Sequence, residues 1–180
     1  MCAITPWEFE KDYSPAWRDV VRHFRWTPDL EELAKTYLRH MLQIPEGAVI
    51  PPFITVHECF APLSAYARRV REVQEELRDL GVNATHVIMT SDEEDERWWD
   101  EVSAQGWLRI NHTRENTEER FGDWGPWYMV VLDAVVQSLG VGFVGTDRST
   151  FSIMARRRVI DWNGGVSRMV MWGRANADDH

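Results

Sequence analysis

The sequence predicts an α/β fold in which a mostly parallel sheet carries helices on both faces. Short apolar runs, typical of buried strands, lie at residues 51–57, 86–91 and 141–146. Between them, apolar residues recur every three or four positions, which is the pattern of amphipathic helices. Strands and helices that alternate in this way form βαβ units, and the strands of such units run parallel. With 180 residues, the chain has the length of one such domain.

The amino-terminal part divides into a connector and a first helix. Residues 1–26 are rich in Trp, Pro and charged residues but show no sustained period, so we predict a connector there. Thr27 offers an N-cap, and Pro28 suits the first turn of a helix. This helix is expected to end near residues 45–47, shortly before the strand at 51–57.

A second helix connects the first two strands. Its apolar face runs over residues 63–80, and Gly81 favours the left-handed backbone geometry that ends many helices. After the strand at 86–91, the acidic residues 92–95 suit the first turn of a further helix, because carboxylates there complement the helix dipole. That helix is expected to end at Gly106.

The rest of the chain continues the alternation. Residues 112–126 are polar and contain Gly and Pro, which indicates a surface loop. The other elements are, in order, a strand at 107–111, a helix at 127–139, a strand at 141–146, a helix at 149–162 and a last strand at 167–173. In parallel sheets ligands bind at the carboxyl ends of the strands, so the loops that follow the strands are the candidate sites.

Composition excludes several classes of function. The chain has 29 acidic and 20 basic residues and a net charge of -9, which argues against a nucleic-acid partner. The basic cluster at residues 156–158 is typical of a solvated helix face or a helix carboxyl end. No signal peptide and no transmembrane segment are expected, since no apolar run approaches the roughly 20 residues of a membrane span. The six histidines lack metal-ligand spacing, so no metal is predicted.

The loop at residues 145–152 is the most informative candidate site. It joins an apolar strand directly to a helix, where backbone amides and the hydroxyls of Ser149 and Thr150 can donate to a phosphate. Gly145 would let a ligand approach the backbone. Asp147 would repel a phosphate at this place, although Arg148 can offset that repulsion. The same residues suit an ordinary Ser/Thr helix cap, and the two interpretations both stand at this point.

Two carboxylates are further candidates. Asp92 follows a strand, where it can accept two hydrogen bonds from a guanine edge or a ribose, or can act as a helix cap. Asp133 lies within an otherwise apolar helix. An exposed carboxylate there would have a structural role, whereas a half-buried one requires a partner, which is either an internal donor or a ligand.

Three stretches carry a resemblance to a known family: VIMTSDEEDERWW, DAVVQSLGVGFVGTDRSTFS and RRRVIDWNGG. Through them, residues 27–180 resemble the carboxyl-terminal half of fungal proteins that are similar to GDP-fucose protein O-fucosyltransferases. The resemblance implies the Rossmann-like, GDP-sugar-binding lobe of a two-lobed GT-B glycosyltransferase, with GDP-fucose as donor and no metal cofactor. Residues 1–26 would then be a remnant of the interlobe region, too short for the acceptor lobe.

The resemblance assigns five binding residues. Ser149, Thr150 and Phe151 match the motif whose hydroxyls and amides hold the diphosphate and whose ring lies beside the nucleotide. Asp92 matches the strand-end acid near the guanine, and His57 matches the histidine that ends a strand in the family. The resemblance further implies a protein or glycan acceptor and a location in the ER or Golgi lumen.

The chain departs from the family directly after His57. Family members continue with an H-x-R-x-G-D-like loop, whose arginine stabilises the diphosphate leaving group. Here Glu58 follows, and Cys59 occupies the position of the arginine. An internal deletion explains the difference, and no catalytic residue is assigned. We therefore expect a truncated transferase that is impaired or inactive, and the alternative is a non-catalytic nucleotide-binding or protein-interaction module.

Overall fold

The fold is known from a computed structural model, which describes residues 15–59, 61–174 and 176–179. Residues 1–14 of the predicted connector lie outside the described part. The helices are α1 (Pro15–His23), α2 (Pro28–Leu42), α3 (Leu63–Asp79), α4 (Glu96–Ala104), α5 (Thr117–Phe121), α6 (Gly125–Leu139) and α7 (Thr150–Asn163), with a 3-10 turn at Gly122–Trp124. The strands are β1 (Phe53–His57), β2 (His86–Thr90), β3 (Gly142–Thr146) and β4 (Val166–Val170).

The four strands form one parallel sheet in the order β2-β1-β3-β4. The chain runs from β1 outward to β2 and then returns to the other side of β1 with β3. The order therefore reverses between β1 and β3, and in open parallel sheets ligands bind at such a point, outside the carboxyl ends of the strands. The predicted α/β class with a parallel sheet is confirmed.

Both faces of the sheet are covered by helices, as the alternation of side chains along β1 shows. Ile54 and Val56 pack with α3 and α4 on one face. Phe53 packs with α2 and α6 on the other. A smaller cluster joins Phe143 of β3 to Ala155 on α7. Because β1, β2 and β3 are buried on both faces, they are apolar runs rather than alternating ones, whereas the edge strand β4 is half-buried at its centre.

Three predicted segments differ from the structure. The expected connector contains the helix α1, which is tied to α7 because Trp162 Nε1 donates to the carbonyl of Val21 at 3.0 Å. The expected strand at 107–111 makes a single bridge, between Leu108 and Ile88. The expected loop at 112–126 contains the helix α5, the 3-10 turn and the start of α6.

The acidic turn before α4 also differs. Helix α4 begins at Glu96, and Asp95 is its N-cap, accepting from the amide of Arg97 at 2.9 Å. Residues 92–94 therefore precede the helix and lie in the loop after β2. Their carboxylates face solvent at the carboxyl end of the sheet instead of forming a helical turn.

Gly145 shows how closely α7 is seated on β3. A Cβ at this position would lie 2.5 Å from Cε1 of Phe143 and 2.8 Å from Cβ of Ser152. Both neighbours are fully buried and have no space to withdraw. Internal packing is therefore enough to require the glycine, and the approach of a ligand to its backbone stays a prediction.

Gly145→Ala is expected to lower the free energy of unfolding by about 1–3 kcal/mol, because it overpacks the contact between α7 and the sheet. Chemical denaturation measures the change. Ser103→Ala, on the exposed side of α4, is the control and should stay within about 0.5 kcal/mol of the unaltered chain. Equal stability of the two variants would show that α7 can shift outward without loss.

Candidate functional site

The candidate site lies at the carboxyl edge of the sheet, where β1 and β3 end. His57 closes β1, and its ring lies 5.0 Å from the ring of Phe151 in the first turn of α7. Nδ1 of His57 is 2.8 Å from Oγ of Ser152. The structure thus brings together His57 and the predicted phosphate-binding motif, which are almost a hundred residues apart in sequence.

The amino terminus of α7 combines a cap with open donors. Ser149 is the N-cap, and its buried Oγ accepts from the amide of Ser152 at 3.3 Å. Thr150 is exposed and Phe151 is half-buried. The amides of Thr150 and Phe151 have no acceptor among the described residues. The loop is therefore a helix cap whose first two amides and dipole remain directed at the edge, as an anion site requires.

A buried carboxylate sits beside this helix terminus. Asp147 is 7% exposed, and its Oδ2 lies 3.4 Å from Nε of Arg148. Trp172 Nε1 donates to the carbonyl of Asp147 at 2.6 Å, and the Asp147 amide donates to Val170 at 2.9 Å. Arg148 has a φ of 65°, a strained value for a residue with a side chain. The loop is thus held in a fixed shape from the end of β4.

His57 is neutral at physiological pH. Burial lowers the pKa of His57 to about 4, and the negative charge of Asp92 opposes that decrease. The exposed Asp92 follows β2 at the same edge of the sheet, near enough for its charge to act on the ring, so all five predicted binding residues lie at this edge. A neutral imidazole provides hydrogen bonds to a ligand without contributing a positive charge.

The short loop after β1 is anchored across the sheet. Tyr66 Oη is 2.6 Å from Oγ1 of Thr146, which itself donates to the carbonyl of His57 at 3.1 Å. The amide of Cys59 donates to Tyr66 Oη at 3.1 Å. Burial raises the pKa of Tyr66, so the phenol stays protonated. Cys59 thus lies in a well-anchored turn.

The next two arginines along the chain are engaged elsewhere. Nη2 of Arg68 is 2.7 Å from Oδ2 of Asp178, and Nη2 of Arg69 is 3.1 Å from Oδ1 of the same residue. Asp178 is 5% exposed and also accepts from the amide of Met171 at 2.9 Å. These guanidinium groups hold the carboxyl-terminal segment against α3 and do not supply a cation to the edge.

The cleft beside the short loop is acidic. It encloses about 1100 Å³, and Trp98 and Cys59 contribute to its wall. Its charged lining consists of Glu58, Asp92, Glu93, Glu94 and Glu101. No three His, Cys, Asp or Glu side chains of the described ranges stand close enough together to hold a metal ion. The charge of this cleft repels a diphosphate, so an anion is favoured only on the side of α7.

Asp133 has an internal partner. His112 Nε2 lies 3.0 Å from its Oδ1, and Nδ1 of the same ring is 3.2 Å from Oγ1 of Thr117. Thr117 in turn meets Oη of Tyr37 at 2.9 Å. Burial raises the pKa of Asp133, and His112 opposes that increase. Of the two predicted alternatives, an internal donor is the one that the structure contains, and the pairing ties the segment before α5 to α6 and α2.

Ser152, Tyr66 and Asp178 are residues that sequence reasoning did not single out. Ser152 and Tyr66 lie in helices and Asp178 lies in the carboxyl-terminal turn, and the importance of each arises from partners that are far away along the chain. The polar character of Ser152 within an apolar helical face is the one local signal that points to a buried partner.

The fold defines an α/β protein with the Rossmann-like arrangement of a parallel sheet and helices on both faces. No protein-family profile matches the chain, and no curated protein matches its sequence. Among solved structures it is similar to POFUT1 in complex with GDP, with a TM-score of 0.52 and 14% identity over 87% of this chain and 50% of that one. POFUT1 in complex with GDP-fucose gives a TM-score of 0.49 at 14% identity, with the same coverage.

The likeness to POFUT1 is one of fold. The chain spans about half the length of the POFUT1 chains it matches. No helix of the described residues has both the length and the apolar character needed to cross a membrane.

Proposed function

We propose that this chain is a GDP-sugar-binding lobe related to the GDP-fucose protein O-fucosyltransferases, and that by itself it is impaired or inactive in transfer. The observation that carries the proposal is the juxtaposition of His57 with Phe151 at the amino terminus of α7, at the switch point of the sheet. Open amides and a neutral imidazole together suit the oxygens of a phosphate.

The fold adds support from a second direction. The half of POFUT1 that this chain resembles in fold belongs to a protein solved in complex with GDP. The predicted binding residues His57, Asp92, Ser149, Thr150 and Phe151 all follow strands at one edge of the sheet. In the proposed complex, the diphosphate lies against α7 and the nucleoside lies beside Phe151.

The proposed impairment or loss of transfer rests on charge. Transfer from a nucleoside diphosphate sugar requires a cation at the leaving group, and Cys59 stands where the family places it. Arg68 and Arg69 are bound to Asp178, and the neighbouring cleft is acidic. The proposed lobe therefore keeps the donors that bind a phosphate but lacks the group that stabilises developing charge.

GDP is expected to bind weakly, with a Kd of about 0.1–1 mM, because one side of the edge repels the diphosphate. Titration of the chain with GDP by calorimetry or NMR measures the affinity. Phe151→Ala should weaken binding about tenfold, since it removes both the predicted ring contact with the nucleotide and the support for His57.

The control variant is Phe24→Ala, an aromatic residue that is 69% exposed in the connection between α1 and α2. It should leave the affinity unchanged. Absence of any heat or chemical-shift change at millimolar GDP would remove the donor-site proposal, and equal effects of the two variants would place the nucleotide elsewhere.

The alternative function is a non-catalytic interaction module. The exposed aromatic side chains of Trp124 and Trp127, which are 68% and 67% exposed at the start of α6, favour it. Exposed tryptophans are typical of surfaces that contact another protein or domain. A module that only contacts proteins would not bind GDP, so the same titration discriminates it from the donor lobe. A non-catalytic module that binds nucleotide would bind GDP, and only an assay of transfer distinguishes it.

A further inference from the structure

We propose that Ser152 is a positioning residue, whose hydroxyl donates to Nδ1 of His57 and thereby keeps the imidazole proton on Nε2. The assignment of the tautomer depends on hydrogen bonding inside the protein. The identity of the ligand that uses the Nε2–H rests on the function proposed above.

The hydrogen bonds around Ser152 decide the tautomer. Ser152 is fully buried, and the amide of Thr146 donates to its Oγ at 3.0 Å. Nδ1 of His57 is 2.8 Å from the same oxygen. The hydroxyl has one hydrogen, and Nδ1 is the one acceptor that it reaches among the described residues. Donation from Ser152 to His57 therefore satisfies every group in the cluster.

The opposite tautomer leaves a group unsatisfied. If Nδ1 carried the proton, Oγ of Ser152 would accept from both Nδ1 and Thr146, and the hydroxyl hydrogen would be buried without an acceptor. A buried donor without a partner disfavours that arrangement by about tenfold or more. The Nε2–H tautomer is therefore the dominant form.

The ring is also held in orientation. Phe151 packs against it at 5.0 Å with an interplanar angle of 42°. Nε2 has no partner among the described residues, and the side chain of His57 is half-buried. The Nε2–H is thus an unused donor in a fixed ring, at the edge where the amides of Thr150 and Phe151 are also unused.

The tautomer determines which chemical groups of a ligand can bind to the ring. An Nε2–H donates to a phosphate or sugar oxygen, whereas a lone pair on Nε2 would repel such an oxygen and would require a hydroxyl or amide from the ligand. Burial lowers the pKa of His57 to about 4 against the opposing charge of Asp92, so the donor remains a neutral imidazole at pH 7. Ser152 thereby makes the edge selective for oxyanions.

Long-range ¹H–¹⁵N NMR of the imidazole tests the tautomer in the unaltered chain. The expected result at pH 7 is a proton on Nε2 of His57 and an unprotonated Nδ1. In Ser152→Ala the ring should lose this preference and show both tautomers in exchange, and the GDP affinity should fall about tenfold. A proton on Nδ1 in the unaltered chain overturns the proposal, whether or not the variant folds.

The same experiment separates this inference from the proposed function. On addition of GDP, a downfield shift of the Nε2–H resonance is expected, while Nδ1 keeps its chemical shift because Ser152 still donates to it. If the proton is on Nε2 but its resonance does not change at millimolar GDP, the role of Ser152 is supported and the GDP site is refuted. Unchanged tautomer populations in Ser152→Ala would show that another group orients His57 and would overturn the role of Ser152.

Discussion

Asp178→Ala is expected to lower the free energy of unfolding by about 3–5 kcal/mol, because it leaves two arginines without their shared carboxylate. Asp178 is 5% exposed, and the side chain of Arg69 is 11% exposed. Removing the carboxylate leaves the guanidinium of Arg69 with Glu72 as its remaining anionic partner. The substitution also removes the acceptor of the Met171 amide, which donates to Oδ1 of Asp178 at 2.9 Å. Chemical denaturation measures the loss.

The neighbouring residue supplies a matched control. Asp179 contacts Arg68 at 3.0 Å, but its side chain is 57% exposed, so Asp179→Ala should cost less than about 1 kcal/mol. Similar losses in the free energy of unfolding for Asp178→Ala and Asp179→Ala would mean that burial of the Asp178–Arg69 pair does not add to stability. Because Trp172 in the same segment donates to Asp147, Asp178→Ala should also loosen the loop before α7.

The same carboxylate gives a pH dependence with a defined sign. Burial alone raises the pKa of Asp178, but the amide of Met171 and the guanidinium groups of Arg69 and Arg68 hold it below the ordinary value. Because the pKa is lower in the folded state, the ionised carboxylate stabilises the protein above about pH 4. This stabilisation is lost as the pH falls through the pKa of the folded state. In Asp178→Ala this part of the acid sensitivity should disappear.

Inserting an arginine loop after His57 is expected to raise transfer at least about 100-fold if the proposed function holds. The comparison uses a two-lobed chain in which an acceptor lobe is joined to this domain, once with the natural residues after His57 and once with an H-x-R-x-G-D-like loop. A cation placed at a developing charge contributes about 2.7–4 kcal/mol to transition-state stabilisation, which corresponds to 100-fold or more in rate. Release of GDP from GDP-fucose measures turnover.

The control for the restored loop is the same insertion with alanine in place of its arginine. It should bind GDP as well as the arginine form but stay as slow as the natural chain. If the arginine form is no faster than the alanine form, the missing cation is not what prevents transfer, and the non-catalytic interaction module becomes the better account of the chain.

Much of the fold could be predicted because three of the four strands, β1, β2 and β3, are buried on both faces. Continuous apolar runs at β1, β2 and β3 are visible without any tertiary information, and helical periodicity marks α2, α3 and α6. Pro28 and Gly81 mark a helix start and a helix end in both the prediction and the structure. These signals are local, so the sequence alone contains them.

Helix α5 could not be predicted because its stability comes from contacts outside itself. Thr117 is fully buried beneath Tyr37, and the backbone of Glu118 packs directly against Gly125. A five-residue helix has little stability of its own. The strand expected at 107–111 does not form for the opposite reason. Its local pattern suits a strand, but its tertiary contacts pair only Leu108 with β2.

The sequence by itself determined the strand–helix alternation, the helix cap at Ser149 and the cysteine at position 59, because caps, periods and residue identities are local properties. The tertiary structure decided which of these residues meet. It joined His57 to Ser152 and committed Arg68 and Arg69 to Asp178. Hydrogen-bond satisfaction and charge pairing depend on distances between remote residues, and these exist only once the sheet has formed.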